Sequence, residues 1–465
     1  MYARILAALA RFSAPTFARI YRLDRVLRRK LLPAGWVVAV LLVAAAAFGV
    51  NTKEALIYQV FGLALALLVV AELASLRFRP PVRVERVLPE YATVDVPFEY
   101  SITIANRGDR RLGDMLVEDA LDAATPTPRQ FVAYKQADDA GRNVFDRFVG
   151  YPRWVILARR MAGARIPTSA IPALEPRREA RLRMTCVPLR RGVVSFDAVR
   201  LSRAEPMGLA KAQFRHALPA SLLVLPRTYP VAPITLRGAR TLQQGGVAFA
   251  GRIGDAEEFM GLRDYRPGDT PRRIHWKAWA RTGRPVVKEY QDEFFERQAL
   301  ILDTHGDAGG APNGDRINDA CFEAAVSVAA SLVVMPRSSE SLLDLVFVEG
   351  RAYTFTQGRG LGTGGDLLRV LAAVSASPAK DFARLSEAVL LGAHRISGAI
   401  CVLLAWDAAR QELVARLRAR GIPLRVWLVR GDDDGHPVDA GPMAADLRNF
   451  RVVRPSTLGA DLARP

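Results

Sequence analysis

Cysteine is scarce, with three in 465 residues, at positions 186, 321 and 401, and no C-x-x-C pair among them. That excludes a disulfide scaffold and a cysteine-ligated zinc or redox centre, and Cys186, Cys321 and Cys401 read as small core residues. The chain also lacks a G-x-x-x-x-G-K-[ST] phosphate loop and a G-x-S-x-G nucleophile elbow. Any ATP hydrolysis has to come from a partner. Gly360-x-Gly362-x-x-Gly365 matches a dinucleotide fingerprint in form only, because it follows a hairpin strand and does not open the first strand-helix unit. Acid is in deficit too: 47 Asp and Glu stand against 65 Lys and Arg, a net charge of +18. Such an excess invites anionic lipid, nucleic acid or an acidic protein, and its distribution decides between them.

What is abundant is apolar, at 50% of residues with a mean hydropathy of +0.08, which points to segments concentrated in lipid. Two runs qualify, Pro33 to Val50 and Ala55 to Leu76, each about 20 residues, the length a helix needs to cross a bilayer. Only Asn51, Thr52, Lys53 and Glu54 separate them, so residues 31–78 read as a transmembrane helical hairpin with both ends on one side. Residues 1–30 form a basic arm, with Arg4, Arg11, Arg19, Arg22, Arg25, Arg28, Arg29 and Lys30 against Asp24. Arg77, Arg79, Arg83 and Arg86 follow the hairpin, so the positive-inside rule places both termini and the domains in the cytoplasm, on the inner membrane. A signal peptide cleaved near Ala45 to Ala47 is the competing reading; its long basic lead and the second apolar run count against it.

Residues 80–230 turn to period-two alternation, with Val82, Val84, Phe98, Tyr100, Ile102 and Ile104 on one face. Further strands are expected at Ala180 to Val187, Val193 to Leu201 and Leu222 to Leu225, which predicts an antiparallel β-sandwich. An insertion near 125–170 gathers Phe145, Phe148, Tyr151 and Trp154 with Arg142, Arg147, Arg153, Arg159 and Arg160. It either rests on lipid or packs on its own sandwich with its arginines solvated. From 296 to 465, apolar strands at Ala299 to Asp303, Leu343 to Val348, Ala399 to Ala405 and Leu424 to Val429 alternate with helices. This is an α/β pattern with a mostly parallel, doubly covered sheet, whose ligands bind at the carboxyl ends of the strands.

Residues 240–292 carry the most specific pattern. Pro267-Gly268-Asp269 is a turn, Thr270 suits a helix N-cap, Pro271 the first helical position and Gly283 the stop. One helix of about three turns is predicted, with Arg273, Lys277 and Arg281 spaced i, i+4 along a basic ridge. From Arg263 to Lys288 eight basic residues face two acids. His275 is a conceivable base, although a lone helical histidine is more often structural.

The string Arg263-x-Tyr265-x-x-Gly268-Asp269-x-x-Arg272-x-Ile274-x-Trp276, continued by Ala280-Arg281-x-Gly283, resembles the signature of the bacterial domain-of-unknown-function 58 family. Arg190-Arg191-Gly192 and Glu205-Pro206-Met207-Gly208-Leu209 resemble two further family elements, with Glu205 in place of Asp. The resemblance implies a two-helix membrane anchor, a sandwich, the signature, and a C-terminal domain similar to the von Willebrand factor type A fold, which is Rossmann-like. It also implies work alongside MoxR-type AAA+ ATPases in protein assembly or maturation.

Metal-binding type A domains place Asp-x-Ser-x-Ser at the first strand end, where this chain has Asp303, His305 and Asp307. With Thr363 or Asp366, and Asp407, these form a degenerate candidate site, suited to manganese or zinc if to any divalent metal; the alternative is a vestigial site whose carboxylates cap helices. No other cofactor and no catalytic residue is indicated. Nucleic acid is not expected, since the charge is split between the arm and the signature and forms no recognised reading module. The sequence therefore predicts a membrane-anchored, non-enzymatic interaction protein. Arg273, Lys277 and Arg281 would bind the partner, and Arg263, Tyr265, Gly268, Asp269, Arg272 and Trp276 would build the signature. A metal-dependent hydrolase at His305 is the alternative.

Overall fold

The computed structural model describes residues 2–48, 55–122, 125–133, 151–234, 258–291, 296–305, 320–336, 341–377, 382–432 and 434–464. The chain divides into two compact units, one built mainly from residues 1–228 and the other mainly from 229–465.

The first unit opens with three helices, α1 (Tyr2–Lys30), α2 (Pro33–Phe48) and α3 (Ala55–Leu76). Among the described residues one helix, Leu56–Leu76, is long and apolar enough to cross a membrane; Pro33–Ala47 is apolar but shorter. The expected hairpin tip, 51–54, lies outside the described residues. Strands β1 (Val82–Val87), β2 (Tyr91–Thr93), β3 (Phe98–Asn106) and β4 (Met115–Leu121) follow. Beyond the helices α4 (Pro128–Ala133) and α5 (Tyr151–Met161) come β5 (Ala164–Arg165), β6 (Ser169–Ile171), β7 (Glu179–Pro188), β8 (Gly192–Ala204) and β9 (Lys211–Leu225). They make two sheets, ordered β1-β3-β7-β5 and β2-β9-β8-β4-β6. Alternation explains the core: Tyr100, Ile102 and Ile104 of one sheet meet Val117, Phe196, Val199 and Leu201 of the other.

Within this core Arg86 donates to both oxygens of Asp119 and to the Leu218 carbonyl, while the Tyr100 hydroxyl donates to Asp119 at 2.7 Å. A buried charge pair is tolerated because its hydrogen bonds are nearly all filled. The insertion is not a free lipid-facing element where it is described. Trp154 is buried, edge-on to Phe131 at 5.5 Å and beside Phe17 of α1 at 6.2 Å. Phe145, Phe148, Arg142 and Arg147 lie outside the described residues.

Glu205 shapes the turn between β8 and β9. Its buried carboxylate accepts backbone N–H groups of Met207 (2.6 Å), Leu209 (2.6 Å) and Ala210 (3.2 Å). Burial would raise this carboxyl, but the three donors hold it below its ordinary range. The turn seats the helices. Leu32 N–H donates to the Leu209 carbonyl at 3.0 Å, Leu209 and Ala210 cluster with Ala71 of α3, and a Cβ on Gly35 would fall 2.0 Å from the Leu209 oxygen.

The second unit holds the two-stranded β10 (Glu258–Asp264) and β11 (Val286–Gln291), with the short helix α6 (Trp276–Thr282) between them. Its six-stranded sheet comprises β12 (Arg297–Leu302), β13 (Leu342–Glu349), β14 (Arg351–Gln357), β15 (Gly398–Leu403), β16 (Leu424–Val429) and β17 (Phe450–Val453). The order is β14-β13-β12-β15-β16-β17, parallel except for β14. Helices α7 (Ala320–Val334), α9 (Phe382–Gly392), α10 (Ala408–Ala419) and α11 (Leu458–Ala463) complete the unit, while α8 (Gly364–Ala373) starts in it and passes at Leu368 into the first. Ala299, Ile301, Cys401, Leu403, Val426 and Leu428 pack with Leu385, Leu413 and Leu417 of α9 and α10. Residues alternating with them point to the opposite face, so the central strands are buried on both sides and read as unbroken apolar runs. The chain direction across the sheet reverses between β12 and β15, the position where open α/β sheets form their crevice.

Candidate functional site

Asp303 and Leu404 follow directly on β12 and β15, and so meet at this reversal. Asp303 is fully buried. Its Oδ1 accepts the His305 N–H at 2.8 Å, and its Oδ2 accepts the Leu404 N–H at 3.1 Å and Arg410 Nε at 2.6 Å. Arg410, in the first turn of α10, is also buried. It donates to Asp407 Oδ2 at 2.6 Å and to the His305 carbonyl, and its guanidinium carbon lies 4.5 Å from the Phe382 ring centroid. Asp407 in turn caps α10, its Oδ1 accepting the Arg410 N–H at 3.0 Å. Burial alone would push the Asp303 carboxyl up, but the His305 and Arg410 contacts override it and hold it below the usual carboxylate range.

The described members of this set do not offer an open group of ligands for a divalent metal. Asp303 and Asp407 are brought together, but around a guanidinium that already supplies their counter-charge. His305 Nε2 is buried without a hydrogen-bond partner among the described residues, a lone nitrogen where a hard cation needs several ligands. Thr363 is committed elsewhere. Its hydroxyl donates to Asp366 Oδ2 at 2.7 Å and its N–H reaches the same oxygen at 3.0 Å, a capping box at the start of α8. Asp307 lies outside the described residues. No group of three or more His, Cys, Asp or Glu able to hold a metal occurs among the described residues.

The signature segment is a hairpin with a helical insert, and the single helix expected from Thr270 to Gly283 is broken. Pro271–Arg273 is a 3₁₀ turn, and Thr270 makes no side-chain cap. Ile274 then bridges Val287 of β11, and His275 N–H donates to the Val286 carbonyl at 2.8 Å. Those bonds hold the chain extended, a state that β-branched Ile274 favours. The α-helix starts only at Trp276, capped by His275, whose Nδ1 accepts the Ala278 N–H at 3.0 Å. It ends at Gly283, whose φ of 68° suits glycine. Lys277 and Arg281 therefore share a helix, whereas Arg273 does not belong to it. The imidazole is a cap, with its acceptor nitrogen engaged.

Asp269 fixes the turn through Arg263. The guanidinium makes two parallel bonds of 2.7 Å to the carboxylate, and the Arg266 N–H donates to Oδ2 at 2.8 Å. The Arg263 bond, followed by that from Arg266, lowers the Asp269 carboxyl to about 2. With the acid satisfied, the surface presents cations and rings. Arg272, Lys277, Arg281 and Arg284 are exposed, and Trp276, 63% exposed, stacks on Trp279 at 5.3 Å. Tyr265 and Trp276 belong to the signature set. Both are exposed and do not pack inward.

Sequence reasoning missed Arg410, although its spacing of three residues from Asp407, across a helix start, is the signal that pairs them. It also missed that Glu205 to Ala210 seats the N-terminal helices. A turn accepting three backbone donors has no side-chain pattern beyond the acid itself.

Residues 261–419 match the family model described as "Protein of unknown function DUF58", which supports the family resemblance. No curated protein matches the chain. Solved structures show distant likenesses. The CARDB domain of PF1109 from Pyrococcus furiosus is 14% identical over 31% of this chain and 94% of its own, with a TM-score of 0.16. The ASH/PapD-like domain of human CEP192 is 16% identical over 32% of this chain and 89% of its own, with a TM-score of 0.18. Proximal thread matrix protein 1 from the mussel byssus is 13% identical over 36% and 46%, with a TM-score of 0.28. Likenesses at this level carry no argument about fold or function.

Two predictions follow the geometry. Arg410→Ala strands the buried Asp303 charge and should destabilise the second unit by about 3–5 kcal/mol, read as a lower melting temperature; adding Asp303→Asn should restore a good part of it. For Asp269, whose folded carboxyl is depressed, the stabilisation is complete above its unfolded value and is lost as pH falls through the folded one. Hydrogen exchange should show the Arg266 amide protected at pH 5 and progressively unprotected as pH falls from about 4 towards 2, and unprotected throughout in Asp269→Asn.

Proposed function

We propose that this chain is a membrane-anchored, non-enzymatic interaction protein that docks an acidic partner on its signature hairpin. The observation that carries the reading is the exposed face of α6, where Trp276 stacks on Trp279 beside Lys277 and Arg281. A solvent-facing tryptophan among cations is an expensive surface for a packed domain and a common anchor at interfaces. The residues at the strand-end crevice spend their charge on one another, which argues against the hydrolase reading. The partner implied by the family resemblance is a MoxR-type AAA+ ATPase acting on client proteins. In this reading the second unit is a von Willebrand factor type A-like domain. The anchor is a hairpin of α2 and α3 in the inner membrane, and the termini and both units lie in the cytoplasm.

Long-range attraction between opposite charges sets the encounter rate and weakens with salt, while the desolvated tryptophan holds the complex. Lys277→Glu with Arg281→Glu should abolish capture of a purified MoxR-type ATPase without lowering the melting temperature, and wild-type capture should fall as salt rises. Trp276→Ala should weaken capture chiefly through faster dissociation, measured by surface plasmon resonance. Wild-type affinity in the folded double variant at every salt concentration would defeat the docking reading.

A further inference from the structure

Helix α1 was expected only as a basic arm, but it is built into the first unit with one face left bare. Phe17 and Ala18 are buried against Phe131, Trp154, Leu157 and Met161. On the opposite side Ile20 (46%), Leu23 (59%) and Val26 (49%) are exposed, spaced three residues apart so that they line one stripe. Exposed Arg19 and Arg22 flank that stripe.

The end of α1 is held at the base of the membrane helices. Arg29 pairs with Glu118 of β4 at 2.6 Å, its carbonyl accepts from Gln213 of β9 at 2.7 Å, and Lys30 pairs with Glu72 near the C-terminal end of α3. Two residues later α2 begins, tied to the β8–β9 turn through Leu32. The exit of α3 and the entry of α2 therefore lie at one level, and α1 reaches that level with its apolar stripe uncovered. Val37 and Val40 of α2 and Leu63 and Leu73 of α3 are likewise exposed.

From this placement we infer that α1 is an interfacial helix, its Ile20–Leu23–Val26 stripe sunk into the cytoplasmic leaflet and Arg19 and Arg22 on anionic headgroups. The inference rests on the membrane-spanning reading of α3 and α2. A helix with an apolar face and arginines along its edge partitions into the headgroup boundary, and each cation near an anionic surface adds to the attraction. An acidic protein is the weaker fit, because the stripe is aliphatic along its length and α1 ends at the level where α2 begins and α3 ends.

The test uses the full-length protein in nanodiscs of phosphatidylcholine with and without phosphatidylglycerol, carrying p-benzoylphenylalanine in place of Leu23 or, separately, Leu63. Irradiation should give lipid adducts from position 63 in both discs, and from position 23 strongly only with phosphatidylglycerol. Arg19→Glu with Arg22→Glu should remove the adducts at 23 and leave those at 63. If 63 labels lipid and 23 does not, the interfacial helix is refuted while the span survives. If 63 fails as well, the spanning reading falls and takes the inference with it. Equal labelling at 23 in both discs would overturn recognition of anionic headgroups.

Discussion

The guanidinium of Arg410 between Asp303 and Asp407 is the contact on which the second unit turns. Asp303 sits where the chain direction across the sheet reverses, the place at which open α/β sheets offer a crevice. A carboxylate buried there needs a counter-charge and filled hydrogen bonds. Arg410 brings both, and in doing so joins the end of β12 to the N-terminus of α10, while Leu404 N–H adds the end of β15. The crevice is closed by the protein's own cation.

The same economy of charge recurs at two turns. Asp269 takes up Arg263 and the Arg266 amide, and Glu205 takes up three backbone amides. Each acid is consumed in holding a loop, while many basic residues remain on the outside. The excess of 65 basic over 47 acidic residues is in this way partly converted into local cationic faces, on the signature helix and along α1. Faces of that kind attract acidic partners or anionic lipid, and the company they keep separates the two. Stacked indoles accompany the cations on α6, and an aliphatic stripe accompanies them on α1.

Much of the fold was legible wherever one force dominated. Period-two alternation marked β3, β7 and β8, and unbroken apolar runs marked the buried parallel strands. In β9 only Leu222 to Leu225 was expected, and Lys211 to Ser221 escaped. There Arg215 and Pro219 lie on the exposed side, and Pro219 coincides with a register shift opposite Phe196 and Ala198. Strand β17 is too short, and too interrupted by Arg451, to be read without its neighbour β16. In the signature, local propensity favoured one helix, and the Ile274–Val287 bridge with the His275 bond to β11 broke it. That pairing joins Ile274 and His275 to Val286 and Val287 across the helix itself, and helical spacing does not register it. The candidate site was legible as a set of acids at a strand end, but the residue that decides its chemistry, Arg410, lies on a different element.

The most direct test of a crevice closed by its own cation is calorimetric titration of the solubilised full-length protein with manganese. The account predicts no saturable heat from the wild-type protein. Stoichiometric, saturable uptake that disappears in Asp303→Ala would contradict it, because a metal and the Arg410 guanidinium cannot both hold that carboxylate.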